Sequence, residues 1–134
     1  MRVRVPLLAY AVASFLGAAI HMFLVSLMET VEASDVFFGT ILFWIGGGIL
    51  GTPVAVPAII ATERWGKGPC WFFLSLGAGS CLGVLALIAQ SGWTTEQMIA
   101  LLVAAIVASG AYWFFAWHLF PPQKEIESIQ EVFE

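Results

Sequence analysis

The sequence predicts an all-α integral membrane protein: a four-helix antiparallel transmembrane bundle with both termini cytoplasmic and a short amphipathic C-terminal tail. Three observations predict it. Four segments, at about residues 5–27, 36–61, 70–90 and 98–119, contain no Asp, Glu, Lys or Arg. A hydrocarbon core about 30 Å thick needs about 20 helical residues at a rise of 1.5 Å each, and every segment reaches that length. All lysines and arginines fall in the opening MRVR, in the ERWGKGP connection, or after Leu119, and none lies in the METVEASD or SGWTTEQ connections. Basic and non-basic connections therefore alternate, which is the positive-inside pattern of four spans. Finally, 60% of the 134 residues are hydrophobic and 10% charged, with a mean hydropathy of +0.94. A soluble domain carries far more charge.

The first segment follows MRVR, a fair n-region for a signal peptide, and Val31-Glu32-Ala33 resembles a cleavage site. Its apolar stretch nonetheless exceeds the 7–15 residues of an h-region, so an uncleaved span is expected. It contains Ala13-x3-Gly17 and then His21. The second segment holds Gly46, Gly47, Gly48, Gly51, Thr52, Pro53 and Pro57 near its middle. Glycine weakens a helix and proline removes a backbone donor, so a kink or unwound stretch is expected there. Gly47 and Gly51 also form a GxxxG, the spacing that lets two helices approach closely. The third segment carries Gly79-x3-Gly83, and the fourth Ala104-x3-Ala108. Connections of seven or eight residues make sequential neighbours pack antiparallel. Trp65, Trp71, Trp93 and Trp117 fall near the span ends, where the indole suits the membrane interface.

Two units follow: a bundle over residues 1–120 and an acidic cytoplasmic tail over 121–134. Pro121-Pro122 stops the last helix, and Ile126, Ile129 and Phe133 recur at helical spacing beyond it. The tail contributes to a formal net charge of −4. With no basic stripe, nucleic acid is not an expected partner.

Candidate functional residues are few. Close helix packing is expected through Gly17, Gly47, Gly51, Gly79 and Gly83, with α-helical contacts between the second and third spans. His21 and Thr52 are the candidate polar groups within the membrane; an ionisable side chain there is costly and so marks a site by default. A haem held between His21 and His118 is excluded, because the two differ in depth by roughly 20 Å. Cys70 and Cys81 lie about 16 Å apart on one helix, too far for a disulfide. No nucleophile–base pair, metal-ligand set or phosphate-cradling loop is visible, so neither catalysis, a metal nor a cofactor is expected. The leading expectation is an accessory or interaction subunit of the bacterial inner membrane. It contacts membrane lipids and either self-associates or joins a larger membrane-protein complex through small-residue helix faces. The alternative is a small-solute transporter or channel using a broken second helix.

Overall fold

In the computed structural model, residues 4–66 and 68–121 are described, and they are helical with no strand. The helices are α1 (Arg4–Met28), α2 (Ala33–Trp65), α3 (Cys70–Ile88) and α4 (Thr95–Trp113). The chain of α4 continues as a π-helical segment, Phe114–Leu119. All four helices are long and apolar enough to cross a membrane, as in a multi-pass membrane protein. The tail helix expected beyond Pro121 lies outside the described residues.

Connections are tighter than the apolar segments suggest, because polar residues at the segment ends join the helices. They span only residues 29–32, 66–69 and 89–94. Gly66 ends α2 at φ 64°, the left-handed conformation that only glycine adopts cheaply at a helix C-terminus. Gly92 turns the chain at φ 82° before α4. Thr94 then starts α4 with a capping box. Its hydroxyl accepts the Gln97 N–H at 3.2 Å, and the Gln97 side-chain oxygen accepts the Thr94 N–H at 3.2 Å. Two donors otherwise orphaned at the helix start are satisfied reciprocally.

α1 and α4, the first and last helices, form the central pair. α2 flanks α1 and α3 flanks α4. Ala9, Ala13, Gly17 and His21 recur every four residues and so share one face of α1, and all four are buried. On α4 the matching face holds Ala100, Ala104 and Ala108. A side-chain carbon added at Gly17 would stand 2.9 Å from Ala108 Cβ and 3.3 Å from the Ala104 carbonyl oxygen. Small residues thus bring the two backbones together, which raises dispersion contact where no hydrophobic force acts between apolar helices in lipid. Towards the end carrying Arg4, the core is Ala9, Ala13, Phe73, Tyr112, Ala116 and Trp117. Phe73 lies 5.0 Å from Tyr112 and 6.4 Å from Trp117, ring centre to ring centre.

The flanking helices are held by polar and small-residue contacts of their own. Tyr10 donates to the Gly48 carbonyl at 2.8 Å. Trp44 Nε1 donates to both the Ala11 carbonyl and Ser14 Oγ at 3.1 Å. Gly39 lets Met22 pack onto α2, and Gly77 faces Ser109 and the Ala105 carbonyl on α4. Trp113 Nε1 donates to the Gly68 carbonyl at 2.8 Å, and the Trp117 ring covers Gly68 so closely that any side chain there would overlap it.

Two expectations are corrected. α2 is one continuous helix through Pro53 and Pro57, not an unwound one. Each proline removes a single donor, whereas unwinding in apolar surroundings would orphan several backbone groups. The second correction concerns α2 and α3, which share no extensive interface among the described residues. A side chain at Gly47, Gly79 or Gly83 would meet no described atom within 4 Å, while a Cβ added at Gly51 would stand 2.8 Å from the Tyr10 hydroxyl of α1. The anticipated contact through Gly47, Gly51, Gly79 and Gly83 is therefore not made within the chain. The central α1–α4 pair separates the two flanking helices.

Candidate functional site

The α1–α4 seam changes character where His21 follows Gly17 by one helical step. The His21 side chain is 3% exposed and lies against the Ala100 backbone of α4, one step further along. A neutral imidazole has one donor and one acceptor nitrogen. Nδ1 is buried and has no hydrogen-bond partner among the described residues.

Beside it lies a cavity of 260 Å³ lined by His21, Met22, Val25, Phe43, Trp93 and Gln97. α1, α2, the α3–α4 connection and α4 each contribute. Phe43 packs on the imidazole with ring centres 4.5 Å apart. Trp93 lies near-parallel to the same ring at 6.4 Å. Gln97 is fixed twice, by the capping box and by donation of its side-chain amide to Glu29 Oε1 at 2.9 Å. A carboxylate thus stands one hydrogen bond behind the lining. At this end the α1–α2 connection carries Glu29 and Glu32, the first turns of α2 and α4 carry Asp35 and Glu96, and none of these segments has a Lys or Arg.

Only part of the set expected from sequence meets here. His21 is central to the cavity. Thr52 is not: it is exposed, and its hydroxyl donates to the Gly48 carbonyl of its own helix at 2.7 Å. Gly17 packs one step along the seam from His21, and Gly51 belongs to the α1–α2 contact. Gly47, Gly79 and Gly83 lie exposed on the flanking helices. His118 is exposed too, beside Trp113 and Phe114 in the π-helical segment. Among the described residues no group of three His, Cys, Asp or Glu side chains is placed to hold a metal ion.

Sequence reasoning missed Phe43, Trp93 and Gln97 as partners of His21. One signal was present: Thr94-Thr95-Glu96-Gln97 has the S/T-x-x-E/Q spacing of a capping box, which places Trp93 immediately before the cap of α4. No family model, curated protein or solved structure matches the chain.

Proposed function

We propose that the chain is a small accessory subunit of a membrane assembly, crossing a bacterial-type inner membrane four times with both termini in the cytoplasm. Its docking surfaces are the outward faces of α2 and α3. The carrying observation is that glycines at 46, 47 and 48 on α2, and at 79 and 83 on α3, face open space. Within the chain the small residues at Gly17 and Gly77 are each consumed by a close helix crossing. Those left open match the same use with another transmembrane helix, from a second copy or a different subunit.

Exposure of α2 supports this reading. Only Thr40, Ala58 and Thr62 are buried along it, while Leu42, Ile49 and Leu50 are 71, 68 and 72% exposed. Contiguous apolar surface of that extent belongs against lipid or a partner. The distribution of basic residues orients the ends by the positive-inside rule. α2 is continuous, and the cavity at His21 lies away from its glycine–proline stretch, so nothing here favours transport through a broken second helix.

Leucine substitution separates assembly from folding. Gly47→Leu and Gly79→Leu are expected to leave helix content and melting temperature unchanged while shifting migration in mild detergent to a smaller species. Gly17→Leu is expected to break the bundle itself, since overpacking a filled interface costs about 1–3 kcal/mol. Wild type and both open-face variants migrating alike would remove the support for a docking role.

A further inference from the structure

The cavity where α1, α2 and the start of α4 meet has a lining that selects one class of ligand. We infer that it binds a neutral, lipid-soluble molecule carrying an aromatic ring and a carbonyl oxygen. The ring lies against Phe43 and Trp93, and the oxygen accepts from the Gln97 amide. This binding rests on the bilayer placement proposed above, not on the assembly role of α2 and α3.

Space and walls set the shape and polarity of the occupant. An apolar cavity of about 150 Å³ takes up benzene; at 260 Å³ this one has room for a ring and a short substituent. Phe43 of α2 and Trp93 of the α3–α4 connection supply aromatic surface from two separate elements. Met22 and Val25 of α1 add a thioether and a branched aliphatic wall. A planar ring gains more from such neighbours than a saturated one, through ring–ring and sulfur–ring contacts.

Gln97 supplies the polar selectivity. Its side-chain oxygen accepts the Thr94 N–H, and one amide hydrogen goes to Glu29 Oε1 at 2.9 Å. An amide nitrogen carries two hydrogens, so one donor remains on a side chain already fixed at both of its polar atoms. Such a donor is matched by an acceptor, and its prior fixing spares the rotamer entropy that ordering it on binding would cost. The lining holds no carboxylate, lysine or arginine. An ion entering it would lose hydration without gaining a counter-charge, and an anion would also approach the Glu29 carboxylate behind Gln97. A neutral carbonyl meets neither penalty.

Full-length protein in nanodiscs tests the class, with protein-free discs subtracting simple partition into lipid. Para-fluoroacetophenone is titrated and followed by fluorine NMR. It is then displaced by acetophenone, ethylbenzene and cyclohexyl methyl ketone, compared at equal concentration in the bilayer. Expected is a saturable component that protein-free discs lack. Acetophenone should displace the probe at least about threefold more effectively than either analogue. Ethylbenzene keeps the ring without the acceptor, and the cyclohexyl ketone keeps the acceptor without the aromatic ring. Val25→Trp, whose indole would occupy the cavity, should remove the saturable component. Gln97→Glu keeps the capping oxygen but loses the amide hydrogens, and should erase the preference for acetophenone over ethylbenzene. On wild-type protein, the lack of a saturable component would overturn the inference, as would equal displacement by either analogue. Neither result depends on a variant folding, and neither touches the migration of Gly47→Leu or Gly79→Leu.

Discussion

Tyr10 and Gly51 illustrate how single residues decide which helices meet. The hydroxyl reaches the Gly48 carbonyl only because Gly51, one turn away on α2, has no side chain. Tyr10→Phe is expected to cost about 1 kcal/mol, the usual worth of an interhelical hydrogen bond in membranes. Gly51→Ala should cost a similar amount by displacing the hydroxyl, and the double variant should cost little more than either alone, because one contact is lost twice. Thermal unfolding of the four-membered cycle in detergent reads the coupling, and strictly additive losses would show that the two residues act separately. Gly51 was legible in the sequence as a packing residue, but its partner was not. The GxxxG spacing marks a face that permits close approach without saying which helix arrives, and a tyrosine hydroxyl on α1 reached the site first.

At the level of helices, apolar length located all four spans, and the polar ends were where the reading fell short. Glu63, Arg64 and Trp65 continue α2, and Thr95, Glu96 and Gln97 open α4, since helices extend past the hydrocarbon until a specific stop or cap intervenes. Gly66 is such a stop and Thr94 such a cap. Thr94→Ala is expected to destabilise the start of α4 by about 1 kcal/mol, read as faster amide exchange over residues 97–99 with α1 unaffected. Pro53→Ala should in contrast leave helix content unchanged, because α2 already runs through that position unbroken. Glycine and proline were read as breakers on their intrinsic propensity. An apolar environment overrides propensity by penalising every orphaned backbone group.

For the molecule as a whole, hydropathy and the spacing of basic residues carried the four-span reading. Placement of the central pair was beyond them, because every segment bears small residues at four-residue intervals. Sidedness remains directly measurable: reporters fused to the N-terminus and to the C-terminus are expected to be active only on the cytoplasmic side. A periplasmic signal from either end would reverse the assignment of Arg4 and Arg64 to the inner leaflet. The pairing of α1 with α4 also has a bearing on biogenesis. Of the four helices these are made first and last, so the seam cannot form until α4 has been made, and until then α2 has only α1 to pack on. A chain nicked between Gly66 and Pro69 leaves two hairpins, α1–α2 and α3–α4, each contributing one partner of the seam. Two such fragments made from separate messages are accordingly expected to find one another in the bilayer and restore the intact bundle.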